Sequence, residues 1–167
     1  MTQQINIYIE TSCKGPVPRK AAGAWFLEYT RNSGDIATRG GILYSNKTTE
    51  NELTLALVKS AFSRLTKPCI CQVFTECSNV LNTMKNGWMW QWRKNNWITA
   101  KGTMAKNVEA WKQCADVMEQ HTTQWRNGPH SYRILMQSRI IKELSAEHDS
   151  SVEGIYITIP VPEWNAQ

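Results

Sequence analysis

The sequence predicts a mixed α/β fold, a partly parallel sheet covered by helices, on three observations. Residues 4–10 (QINIYIE) alternate apolar and polar with period two, and two more strand-like runs follow, split by a turn cluster. A stretch at 50–66 then carries Leu53, Leu57, Ala61 and Leu65 at helical spacing. After it comes CICQVFTE (69–76), a short apolar run of the kind a buried strand needs. The order β-β-β-α-β-α…α, with the later strand reached through a helix, points to a mixed sheet with helices packed on it.

Taken in order, QINIYIE reads as a half-buried first strand, and AGAWFLEY (22–29) and the GGILYS end of 36–45 as the next two. Asn32-Ser33-Gly34-Asp35 joins them as a hairpin turn. Thr48 and Thr49 are N-cap residues for the helix from about 50, and Pro68 ends it. SNVLNTMK (78–85) suits a short helix that Gly87 breaks, Ala100–Thr103 a loop, and Asn107–His121 an amphipathic helix through Val108, Trp111, Ala115 and Met118. RNGP (126–129) is a break and Met136–Glu147 a helix. The strand before that helix is open between Thr122–Arg126 and Ser131–Leu135, and GIYITIPVP (154–162) between a last strand and an extended tail.

A chain of 167 residues with no linker-like segment is expected to form a single domain, 1–167. No apolar run approaches the roughly 20 residues of a membrane span, so a soluble protein is expected. The five cysteines (13, 69, 71, 77, 114) are odd in number and lack zinc spacing, which suits buried thiols and a cytoplasmic location. The net charge of +5 is unevenly spread. From Lys85 to Lys112 there are six Lys/Arg residues against one acid, Glu109, together with five of the eight tryptophans. Basic residues interleaved with aromatics point to nucleic acid: lysines neutralise phosphates without reading sequence, and an indole packs on a sugar or base.

Three carboxylates fall at ends of elements. Glu10 ends the first strand, Glu76 ends the 69–76 strand, and Glu52 lies in the first turn of the helix between them. If the first and fourth strands are neighbours, Glu10 and Glu76 leave the sheet side by side, and two like charges there repel unless a cation sits between them. Mg²⁺ or Mn²⁺ is the expected cation, since these hard ions take carboxylate oxygens and serve two-metal phosphodiester hydrolysis. Each carboxylate alone also has an ordinary reading, as a solvated strand end or a helix N-terminal acid.

These residues resemble type 1 ribonuclease H. IETSC is similar to that family's strand-one motif, ENELTLAL to its glutamate-bearing helix, and FTECSNV to the motif ending its fourth strand. WMWQWRKNNW, followed nine residues later by NVEAW, is similar to its basic protrusion, as is Gln120-His121. The resemblance spans residues 4–125 and implies a ribonuclease H-like, five-stranded mixed sheet flanked by helices. It implies Mg²⁺- or Mn²⁺-dependent endonucleolytic hydrolysis of the RNA strand of RNA–DNA hybrids by a monomer. Glu10, Glu52 and Glu76 would be catalytic and hold metal. Trp88, Trp92, Lys94, Trp97, Lys101 and Lys106 would grip the substrate, with Ser12, Cys13 and Lys14 near its backbone and Thr49 and Asn51 (beside Thr48) at the minor groove. His130 would be the family's loop histidine, aiding product release or proton transfer.

The chain also departs from that pattern. The family has Asp, Glu, Asp where this chain has three glutamates, and each added methylene pushes a carboxylate out by roughly 1.5 Å. On the last helix, matching IIKEL puts Lys142 where an acid is expected and Glu143 beside it; Glu147 and Asp149 come later. A lysine there could replace a second cation, which suits a catalytically degenerate nucleic-acid-binding module of the same fold. A nuclease of DNA is a further alternative. Gly15-Pro16-Val17-Pro18 also lacks the family's glycine-rich turn.

Overall fold

The computed structural model describes residues 2–157. Three long strands open the chain: β1 (Gln3–Thr11), β2 (Arg19–Thr30) and β3 (Ile36–Thr48). Then come α1 (Glu50–Phe62), β4 (Cys69–Phe74), α2 (Ser78–Lys85), α3 (Trp88–Lys94), α4 (Val108–Met118), β5 (Thr122–Arg126), α5 (Arg133–Leu144) and β6 (Ile155–Ile157). The sheet is mixed and has six strands in the order β5-β4-β1-β2-β3-β6, one more than the five expected, because Ile155–Ile157 adds to the β3 edge. The remainder of the expected 154–162 segment, and the chain beyond it, lies outside the described residues. β1 pairs antiparallel with β2 and parallel with β4, and β4 parallel with β5.

Strand alternation separates two cores. Ile5, Ile7 and Ile9 point to one face, where Trp25, Leu27, Cys71 and Val73 join Leu53, Leu57 and Ala61 of α1 and Trp111, Ala115 and Met118 of α4. Tyr8, Ala24, Phe26, Ile42 and Tyr44 point to the other, covered by Met136 and Ile140 of α5. Burial of such apolar side chains contributes about 1.5–3 kcal/mol each for the larger residues. All five cysteines are free and buried.

The boundaries follow local chemistry. α1 starts at a capping box: the Thr49 side chain accepts from the Glu52 backbone N–H, and the Glu52 carboxylate accepts from the Thr49 backbone N–H. Of the two strand candidates before the last helix, Thr122–Arg126 is the strand, and the helix begins at Arg133 instead of 136. The Trp-rich segment, unassigned from sequence, is the short helix α3.

Gly41 pairs with Trp25 across β2 and β3, and the indole lies over it: a Cβ there would meet Trp25 Nε1 at 2.5 Å. Gly41→Val is therefore expected to displace a buried indole and destabilise the fold by about 1–3 kcal/mol. Urea unfolding would show a lower midpoint with an unchanged slope.

Candidate active site

Register brings the two strand-end carboxylates together. Tyr8 and Phe74 are partners in the parallel β1–β4 pairing, and two residues further on, on the same face, stand Glu10 and Glu76. Glu10 is 5 % exposed, an unusual degree of burial for a carboxylate. Its oxygens are well supplied with donors. His130 Nε2 lies 2.9 Å from Oε2, and Gln137 donates to Oε1 at 2.7 Å. Because His130 Nδ1 accepts the Tyr132 backbone N–H, the imidazole is the Nε2–H tautomer and donates to Glu10.

A cation does sit between the carboxylates, and it is Arg133. Its Nη1 lies 2.7 Å from Glu76 Oε1 and its Nε 3.7 Å from Glu10 Oε1. Lys14 bridges the outer side, 3.6 Å from Glu76 and 3.7 Å from Glu50. The result is an alternating row, Glu50–Lys14–Glu76–Arg133–Glu10. Burial by itself would raise the Glu10 pKa, but the hydrogen bonds from His130 and Gln137, with the nearby charge of Arg133, bring it below the ordinary carboxylate value.

α5 is placed to deliver these groups. Glu28 on β2 accepts from Asn6, from Tyr8 and, in a short bond, from the Tyr132 hydroxyl at the start of α5. These bonds outweigh partial burial and lower the Glu28 pKa, while burial and the same carboxylate push Tyr132 up to about 12. The His130 ring packs on Tyr8, with centroids 4.5 Å apart. Arg133 and Gln137 then fall four residues apart on one helical face.

Of the other expected ligands, Glu52 is not brought to this cleft. Its carboxylate is held in the capping box, accepting from the Thr49 hydroxyl at 2.9 Å, and it faces a groove with Trp25, Lys47 and Lys59. Thr54, about 200° further round the helix, lines the small cleft with Glu10, Lys14 and Glu76. Its hydroxyl is buried beside Cys77 and makes no hydrogen bond of normal geometry. Glu143 pairs with His148 at 2.8 Å, where that ring stacks on Tyr44, and so is also away from the cleft. Lys142 is exposed. The cationic role expected there is filled by Arg133.

Several expected substrate contacts are otherwise engaged. Cys13 is 2 % exposed and in the core, Ser12 Oγ accepts the Ala22 N–H, and Asn51 Oδ1 accepts from the Cys77 thiol. Thr49 is the N-cap. Lys14 is exposed at the cleft mouth. On the basic arm, Trp97 is 9 % exposed and Trp92 packs edge-on to buried Trp111 with centroids 5.6 Å apart, so both serve packing. Trp88 is 43 % exposed, and Lys94, Lys101 and Lys106 are exposed. These four remain free to meet a ligand.

The donor set does not suit a divalent ion. Among the described residues no three His, Cys, Asp or Glu side chains are grouped to hold one. Two carboxylates already share a guanidinium, and the neighbouring positions carry the neutral Thr54 and Gln137.

An open mixed sheet covered by helices, with paired carboxylates at the ends of two parallel strands, defines the class as an α/β protein with a strand-end carboxylate site. The RNase H family model matches residues 2–128, and the chain belongs to that family. It is 34 % identical over 122 residues to a ribonuclease H of Chlorobium luteolum, covering 73 % of this chain and 80 % of the relative. It is 28 % identical over 121 residues to one of Thermoanaerobacter sp. strain X514, covering 72 % and 74 %. Among solved structures, LC9-RNase H1, a type 1 RNase H with the type 2 active-site motif, matches with a TM-score of 0.72 at 19 % identity, covering 95 % of this chain and 79 % of that one. The foamy viral protease-reverse transcriptase in complex with RNA/DNA hybrid matches at a TM-score of 0.54 and 12 % identity, covering 83 % and 19 %. The RNase H family is generally dependent on divalent metal.

The depressed Glu10 pKa gives a test with a definite sign. Its stabilising contribution is complete above the ordinary carboxylate pKa and disappears as pH falls through the lower folded value. Gln137→Ala removes one of the lowering hydrogen bonds, so acid unfolding should begin at a higher pH than in the parent. Fluorescence-monitored acid titration of both proteins would show the shift, and an unchanged midpoint would count against the assignment.

Proposed function

We propose that the protein handles RNA–DNA hybrids as a ribonuclease H-like protein, with the RNA strand passing the Glu10–Glu76 cleft as the target of hydrolysis. One observation carries this reading: the parallel pairing of the central strands β1 and β4 brings Glu76 next to Glu10, which His130 contacts, in a chain of the RNase H family. The exposed Trp88, Lys94, Lys101 and Lys106 supply the second contact, against the phosphate backbone and sugars. Such contacts read duplex shape and 2′-hydroxyls instead of base sequence. The ion this activity calls for is Mg²⁺ or Mn²⁺, but Glu10, Glu52 and Glu76 do not form its ligand set here, so no metal-dependent step follows from this geometry. The buried free thiols fit a reducing cytoplasm, and the protein is read as a monomer.

A second reading, binding of hybrids without hydrolysis, is favoured by the Arg133 bridge between the two carboxylates. An end-labelled hybrid, incubated with the protein in Mg²⁺ and separately in Mn²⁺, separates the two. Cutting of the RNA strand in either ion is the outcome expected of a ribonuclease H. Binding with no cutting, beside an active control enzyme, selects the second reading, and neither binding nor cutting overturns both. Parallel all-DNA and all-RNA duplexes score the preference for hybrid.

The arm has its own test. Replacing Lys94, Lys101 and Lys106 by Ala should weaken hybrid binding and flatten its salt dependence, by a slope of up to about 0.9 for each phosphate that is no longer neutralised. Fluorescence anisotropy over a salt series measures both quantities.

A further inference from the structure

We infer that Arg133 is the resident cation of the Glu10–Glu76 pair and that its solvent face, with Lys14, receives a nucleic-acid phosphate directly, so that binding at this cleft needs no divalent ion. The inference rests on the hybrid-binding reading above and not on hydrolysis.

Three features of the cleft support it. The first is charge. Glu10, Glu50 and Glu76 are interleaved with Lys14 and Arg133, so the three acidic groups face two internal cations within 3.7 Å. A divalent ion entering between Glu10 and Glu76 would have to displace the guanidinium from a 2.7 Å contact and would then stand beside both cations. The second is layering. The carboxylates lie beneath, with side chains 4 % and 25 % exposed, while Arg133 and Lys14 are 43 % and 62 % exposed and lie above them. A strand approaching the cleft meets positive groups first. The third is the neutrality of the flanking positions. Gln137 donates to Glu10 Oε1, the oxygen that also faces Arg133 Nε, and Thr54 offers only a hydroxyl.

The chemistry of Arg133 suits the role. The guanidinium donates to Glu76 through Nη1 and turns Nε toward Glu10, which leaves Nη2 to donate to phosphate oxygens, for which guanidinium geometry is well matched. Gln137 and His130 donate to the two Glu10 oxygens, which keeps the carboxylate in place as the anchor for Arg133. They are positioning residues in this scheme.

The test uses the full chain, a fluorescein-labelled RNA–DNA hybrid, and Mn²⁺ as a separate probe. Hybrid affinity should agree within about twofold between EDTA and Mg²⁺ at matched ionic strength, and Mn²⁺ titrated alone, followed by its electron paramagnetic resonance signal, should show no saturable site. Arg133→Gln should lose about tenfold or more in hybrid affinity, the scale of one charged hydrogen bond, and gain Mn²⁺ binding that Glu10→Gln in the same background removes. Arg133→Lys should restore part of the hybrid affinity. Mg²⁺-dependent hybrid binding by the parent, saturable Mn²⁺ binding by the parent that Glu10→Gln alone abolishes, or an Arg133→Gln variant that binds hybrid as the parent does would each overturn the inference. If Arg133→Gln fails to fold by circular dichroism, the two measurements on the parent decide. If the parent binds no hybrid in either condition, the hybrid reading fails while the Mn²⁺ titration still scores the cleft.

Discussion

Two like charges emerging from adjacent parallel strands must be neutralised, and much of this molecule is arranged around that requirement. The β1–β4 register leaves Glu10 and Glu76 no room to separate, since each follows a paired residue on the same face. Glu10 is buried as well, so water cannot screen it, and an unpaired carboxylate there would be costly. The neutralising groups come from two directions, Lys14 from the loop after β1 and Arg133 from the first turn of α5.

This constraint explains why the second face of the sheet is built as it is. α5 covers that face with only Met136 and Ile140 fully buried, a thin apolar contact for a helix. Polar ties supplement it: Tyr132 to Glu28, Gln137 to Glu10 and Arg133 to Glu76 all join the start of the helix to the sheet. The opposite face, with α1 and α4, is held by a far larger apolar cluster. The side of the sheet with the smaller core therefore carries the polar chemistry.

The strand pattern of residues 4–10 and 69–76 put Glu10 and Glu76 at strand ends, and the need for a cation followed once those strands were neighbours, as the β1–β4 pairing makes them. What could not be read was the identity of that cation. It depends on where α5 begins: the sequence left 131–135 open as a possible strand and started the helix at Met136, so Gln137 lay in a helix while Arg133, in its true first turn, had no assigned face. Glu52 illustrates a second limit. Thr49 and Glu52 have the spacing of a capping box, which commits the glutamate to the helix terminus, yet a motif match at the same place suggested a ligand. Which was true turned on helical phase, where two residues mean about 200°. Burial of Trp97 was equally hidden. Asn96 and Trp97 adopt positive φ angles of 54° and 65°, a backbone reversal that carries the indole into the core and that residue type does not signal.

That reversal bears on the entropy of association. Trp92, Trp97 and Trp111 nail the base of the arm to the body of the protein, and the Ile98–Met104 bridge closes the loop beyond it. Backbone ordering, which a floppy basic tail would undergo at the moment it met a duplex, has here been completed during folding. What is left to immobilise is one exposed indole and a few lysine stems, at about 0.5–1.5 kcal/mol for each such side chain. The packed tryptophans thus leave the arm ordered in advance of any association.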